Sequence, residues 1–194
     1  MVPWATLAFA AAHTALFVHP LCPPGSACLS VQTVWDQGQW GRLLLAPFHH
    51  LGPFHLATNL LALGWLGQGL EVAVGSLRAG AVLLALALLG GLLHLALNAA
   101  LAAATGEEGF RQHCAVGFSG VLFSLEAMGQ LGGPIPVVTT ADDEGLALMT
   151  RWLCLLECLA LAVLVPRSSL TGHLSGILAG LAFSTVPAFY LATG

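Results

Sequence analysis

Apolar and polar residues fall along this chain in blocks rather than with the two-residue period of a strand. Long apolar runs, rich in Leu and Ala, cover residues 2–18, 53–72, 77–103, 115–131, 146–165 and 170–191. Leu and Ala are strong helix formers, and about 20 apolar residues in helical form cross a bilayer. The pattern predicts an all-α polytopic membrane protein, a six-transmembrane-helix bundle forming one domain over residues 1–194. A transmembrane barrel would show segments of alternating polarity instead. The first run is read as a span because no basic residue precedes it; cleavage after Ala8-Phe9-Ala10, as in a signal peptide, is the alternative.

The polar breaks are informative. Residues 19–52 hold Pro20, Pro23, Pro24, Gly25, Cys22 and Cys28, then the stretch Trp35 to Arg42. A connection this long predicts a structured, functional loop. A second break carries Glu107, Glu108 and Arg111, a third (132–145) carries Asp142, Asp143 and Glu144, and Pro166-Arg167 ends the fifth run. Consecutive spans alternate in direction. The second, fourth and sixth therefore start on one face, together with loops 19–52, 105–114 and 166–169. Three arginines on that side against two on the other do not fix the orientation.

Composition sharpens the picture. Charged residues make up 7 % of the chain, hydrophobic residues 57 %, and mean hydropathy is +0.87. So few charges cannot cover a water-soluble surface, and disorder needs the opposite composition. A net charge of −4 without a basic stripe argues against nucleic-acid binding.

Polar residues recur at the starts of the even-numbered spans. The second opens with His55-Leu56-Ala57-Thr58-Asn59, where His55 and Asn59 share a helix face. The fourth opens with Gly117-Phe118-Ser119-Gly120 and the sixth with Gly172-His173-Leu174-Ser175-Gly176. Polar groups are costly inside a bilayer and face the bundle interior. A serine, two imidazoles and a carboxamide at one depth suggest acyl transfer. His173 can take the proton of Ser119, which is otherwise a poor nucleophile. Gly117 and Gly120 permit a tight turn into the helix. The free N–H groups at its start suit a developing oxyanion, with His55 and Asn59 as side-chain donors. No carboxylate lies beside His173, so the arrangement is a Ser-His dyad.

The sequence resembles the rhomboid family of intramembrane serine proteases over nearly its whole length. Trp40-Gly41-Arg42 looks like the family's Trp-Arg element, Phe54 to Leu60 like its His-x-x-x-Asn motif, and Gly67 to Glu71 like the end of its second span. Gly117-Phe118-Ser119-Gly120 matches Gly-x-Ser-Gly, and Gly172-His173 matches the sixth-helix histidine. Arg42 to Leu45, His49-His50 and Cys114 to Phe123 are most similar to an endoplasmic-reticulum branch. The resemblance implies that Ser119 is the nucleophile and His173 the base, and that His55, Asn59 and the Ser119 amide line the oxyanion hole. It implies a site open to the lumen, transmembrane protein substrates and no cofactor. Phe123 stands where many bacterial members have a Tyr under the catalytic histidine. The cytoplasmic tail of that branch, with its ubiquitin- and ATPase-binding motifs, is absent from these 194 residues, which puts tail-dependent partners in doubt.

Each of these residues also admits a plainer role. A Gly-x-Ser-Gly alone would be a packing motif, and Gly172, Gly176 and Gly180 are read as packing that brings the sixth helix to the fourth. A rhomboid-like protein that binds membrane clients without cutting them is the second functional reading. A solute or metal transporter would need inverted repeats, which are not evident. His49, His50 and His55 do not share a helix face, and no metal is expected. His94 and Asn98 are expected to form an interhelical hydrogen-bond pair. Glu157 is expected to be a protonated structural glutamate, and Glu71 to tie down a loop. Cys22 and Cys28 would face an oxidising lumen and could pair; Cys154 and Cys158 are small packing residues. Trp4, Trp35, Trp40, Trp152 and Tyr190 suit the membrane interface.

Overall fold

A computed structural model of the chain describes residues 2–130, 153–165 and 168–185. The expected 132–145 connection lies outside them, as do the first part of the fifth span and the end of the sixth, with Arg151, Trp152, Arg167 and Tyr190. Among the described residues the architecture is helical, with one isolated antiparallel bridge between Leu29 and Ala115.

The main helices are α1 (Trp4–Val18), α3 (Pro53–Val74), α4 (Ser76–Thr105), α6 (Ser119–Gln130), α7 (Leu153–Leu164) and α8 (Leu170–Ser184). Two single turns complete the set, α2 (Arg42–Leu45) and α5 (Gly109–Gln112). Pro53 opens α3, where a missing N–H costs nothing, and Gly75 separates α3 from α4 at φ +81°. On length and composition, α4 is the helix among those described that is long and apolar enough to cross a membrane; α1, Cys154–Leu164 and α8 are shorter apolar helices. The fourth run was expected to be helical from residue 115. The helix begins instead at Ser119, because residues 114–118 are drawn out along the first loop and Gly117 takes φ +109°.

The bundle is apolar outside as well as inside. Leu61, Trp65, Val72, Leu77, Val163 and Leu164 are exposed, while Thr6, His13, His94, Asn98, Ser124, His173 and Ser175 are buried. Water would penalise that outer surface; hydrocarbon does not. The main core joins Leu63, Leu66 and Leu70 of α3 to Leu83 and Leu86 of α4 and to Phe118, Leu125 and Met128. A second cluster belongs to the first loop, where Leu29, Val31, Val34 and Ala46 pack on Leu95 of α4. A third joins α6, α7 and α8 through Phe123, Ala127, Cys154, Cys158 and Ile177, with both cysteines buried as packing residues.

Among the described elements, α6 and α8 make the most intimate pair. A Cβ added at Gly176 would lie 2.1 Å from the Gly120 carbonyl oxygen, and one at Gly180 would lie 2.2 Å from that of Ser124. Only hydrogen fits at either position. Ser124 Oγ, on α6, donates to the Gly176 carbonyl of α8 at 2.7 Å. Small residues let the backbones meet, and a buried hydroxyl then bridges them.

Glu71, which the Ser76 side chain meets at the α3–α4 connection, also holds a helix end. Its carboxylate accepts from Ala5 N (2.8 Å), Thr6 N (2.9 Å) and Thr6 Oγ1 (2.8 Å), so it caps the N-terminus of α1. Pro3 at the N-cap offers no side-chain acceptor, and a carboxylate from α3 satisfies the orphan donors.

Candidate active site

The segment that carries Ser119 is pinned to the first loop in several places. Cys28 and Cys114 form a disulfide across 86 positions of sequence. Cys22 and Cys28, which could have paired, do not, because it is Cys114 that the fold brings to Cys28. Next to this bond, Leu29 and Ala115 exchange N–H···O bonds of 2.9 Å, and Gly117 N donates to the Ala46 carbonyl at 2.9 Å. Arg111 pairs with Asp36, and Arg42 Nη1 donates to the Cys28 carbonyl at 2.7 Å. Loops 19–52 and 105–114 therefore meet on one side of the bundle.

Beyond this anchor the chain turns at Gly117. A Cβ there would sit 2.6 Å from His55 Cε1 and 2.7 Å from Nε2, so the glycine is required both by its φ and by the imidazole against it. Ser119 is the first residue of α6, and its Oγ lies 2.9 Å from His173 Nε2 in the first turn of α8. Ser169 caps α8 by accepting from Gly172 N at 3.1 Å. The His173 ring lies on Phe123, with centroids 4.5 Å apart and planes at 35°. Its Nδ1 is buried and has no hydrogen-bond partner among the described residues. Packing rather than a carboxylate orients this imidazole.

Asn59 Nδ2 donates to the His55 carbonyl at 2.8 Å, which uses one of its two hydrogens, and among the described residues its buried Oδ1 has no partner. His55 meets the edge of His50, with centroids 5.1 Å apart. His50 in turn meets His13 at 5.3 Å. Burial, and then repulsion from His55 and His13, push His50 down to about 3, with Asn59 and the Phe48 backbone opposing in part. Among the described residues, no group of His, Cys, Asp or Glu has the geometry to hold a metal ion.

These side chains line a cavity of about 1130 Å³. It holds His55, Asn59, Gly117, Ser119, Gly120, Gly172 and His173, and its walls are mainly apolar, including Leu51, Phe54, Leu97 and Leu161. Glu157 lines it too. It is exposed rather than enclosed in the bundle, and Glu126 of α6 is close enough to repel it. Glu126 escaped the sequence reading because it lies two turns beyond Ser119, away from any motif.

A rhomboid domain model matches residues 37–188, which takes in every residue of the site. The chain belongs to the rhomboid family. It is 38 % identical over 186 residues to human (Homo sapiens) Rhomboid-related protein 4, covering 96 % of this chain and 58 % of that protein. It is 28 % identical to Rhomboid-like protein 14, mitochondrial, of Arabidopsis thaliana, over 97 % of this chain and 58 % of the relative. With Rhomboid-type serine protease 2 of Yarrowia lipolytica it shares 28 % identity over 72 % of this chain and 44 % of the relative. The rhomboid chain described here thus spans 58 % of the length of its human relative.

Proposed function

We propose that the protein is an intramembrane serine endopeptidase that cleaves transmembrane segments of other membrane proteins with a Ser119–His173 dyad. The observation that carries this reading is the 2.9 Å contact between Ser119 Oγ and His173 Nε2 beside a large apolar cavity. With its proton on Nδ1, the imidazole presents Nε2 as the acceptor. Oγ attacks the peptide carbonyl carbon while its proton passes to Nε2 and the carbonyl electrons move onto oxygen. The Ser119 amide, His55 and Asn59 are the donors for that oxyanion. On collapse the C–N bond breaks, His173 returns the proton to the leaving amine, and water releases the acyl group by the same route. Gly117, Gly120, Gly172 and Gly176 keep the backbones close enough for this, and Phe123 supports the base.

Six membrane spans, with the site opening to the lumen of the endoplasmic reticulum, complete the proposal. The exposed apolar faces of the helices support the spans, and likeness to the mammalian relatives supports the branch. The name of the Yarrowia relative is consistent with the chemistry.

The test is cleavage of a single-span membrane substrate by the detergent-purified protein. Ser119→Ala and His173→Ala should each lower the rate by about 10³-fold or more and abolish fluorophosphonate labelling. Cleavage by Ser119→Ala at the wild-type rate sinks the assignment. Wild-type protein that retains clients but reacts with no serine probe would favour the client-binding reading.

A further inference from the structure

His94 lies midway along α4 and has no part in the chemistry above. Its ring is buried, with 1 % of the residue exposed. Nε2 is 3.3 Å from the His113 carbonyl oxygen. A carbonyl only accepts, so the ring proton sits on Nε2 and Nδ1 is left as an acceptor. The Thr171 hydroxyl donates to Nδ1 at 3.3 Å, and Asn98 Nδ2 reaches it at 3.1 Å. The same Asn98 amide donates to Thr171 Oγ1 at 3.1 Å and to the His94 carbonyl at 2.8 Å.

The two ends of this network matter. His113 immediately precedes Cys114, where the segment delivering Ser119 begins. Thr171 stands two residues before His173 in the first turn of α8. One imidazole on a third helix thus touches both arms that bring nucleophile and base together. Among the described residues, His173 has no hydrogen-bond partner at Nδ1 and no carboxylate to hold it. The position of its ring therefore depends on where α8 starts, and a displacement of about 1 Å can cost on the order of 10²-fold in rate.

We propose that His94, with Asn98 and Thr171, is a positioning residue that sets the Ser119–His173 distance by tying the Cys114 segment and the first turn of α8 to one ring. The proposal deepens the protease reading and rests on it.

The experiment uses the full chain in detergent, with three readouts: the second-order rate of fluorophosphonate labelling, kcat and KM on a transmembrane substrate, and the thermal midpoint. Thr171→Val removes only the hydroxyl and keeps the shape; Thr171→Ser keeps the hydroxyl. His94→Leu removes every polar contact of the ring; His94→Gln retains a donor and an acceptor. Thr171→Val and His94→Leu should label tenfold or more slowly, with kcat reduced and KM within twofold of wild type. Thr171→Ser and His94→Gln should stay within threefold of wild type. The double variant His94→Leu/Thr171→Val should be slowed by less than the product of the two single effects, because the singles share the His94–Thr171 contact.

Labelling of Thr171→Val at the wild-type rate overturns the proposal, and so does equal slowing in Thr171→Val and Thr171→Ser. If His94→Leu does not fold, the Thr171 pair decides alone. Wild-type protein that labels no faster than Ser119→Ala defeats the protease reading, and this proposal with it. Variants that slow while wild type labels separate the two.

Discussion

His50 shows how burial beside two other imidazoles can make a residue pH-sensitive. Its ring packs between His13 and His55, burial and their repulsion outweigh the Asn59 and Phe48 contacts, and it is held at about 3. In the unfolded chain an imidazole takes its proton near pH 6.5. Between those values the unfolded state binds a proton that the folded state refuses, so stability rises with pH. The contribution is fully present above 6.5 and is lost as pH falls towards 3. Going from pH 7 to pH 5 should cost about 2 kcal/mol from this residue. His50→Phe, which keeps a ring in an aromatic setting, should show a correspondingly smaller fall in thermal midpoint over that range. The difference between the two proteins is the quantity to measure, since contributions common to both cancel. Equal falls would mean that His50 does not carry the effect.

At the scale of elements, the α6–α8 contact decides whether a site exists. Gly176 and Gly180 place α8 against the carbonyls of α6, and His173 lies one turn before Gly176. Gly176→Ala would put a methyl group 2.1 Å from the Gly120 oxygen, and a backbone carbonyl cannot swing aside. The helices must part, at a cost on the order of 3 kcal/mol. The expected result is a lower thermal midpoint together with loss of fluorophosphonate labelling. Gly64→Ala is the control, because nothing lies within 4 Å of a Cβ there; it should be close to wild type in both assays. The four-residue spacing of Gly172, Gly176 and Gly180 was legible in the sequence because packing between membrane helices selects small residues at that period. The start of α6 was not. Apolar content carried the expected helix back to residue 115, whereas the Leu29–Ala115 pairing and the left-handed Gly117 hold it off until Ser119.

For the whole molecule, the first loop is a second scaffold beside the bundle. It has its own apolar cluster on α4, and it fixes the Ser119 segment through the Cys28–Cys114 bond, the Leu29–Ala115 bridge and the Gly117–Ala46 hydrogen bond. A crosslink closing so long a loop restricts the unfolded chain by about 4 kcal/mol in the chain-entropy account. Reduction with dithiothreitol should therefore lower the thermal midpoint, and Cys28→Ser should reproduce the effect. Cys22→Ser should leave it unchanged, because Cys22 is outside the bond. An unaltered midpoint after complete reduction, verified by thiol counting, would show that the bridge and the hydrogen bonds hold the segment without it.

By itself the sequence determined what local pattern can encode. Apolar blocks specify helices suited to a bilayer, and short motifs at the starts of runs mark Ser119, His173, His55 and Asn59. The His94–Asn98 pair was legible too, since i and i+4 share a face. Contacts between distant segments have no local signature, and only the tertiary structure decided them. Cys28 meets Cys114 rather than its neighbour Cys22, Glu71 caps a helix that begins 67 positions earlier, and Thr171 completes the His94 network from another helix. Each follows from how the helices pack, which fixes distances that chain order leaves free.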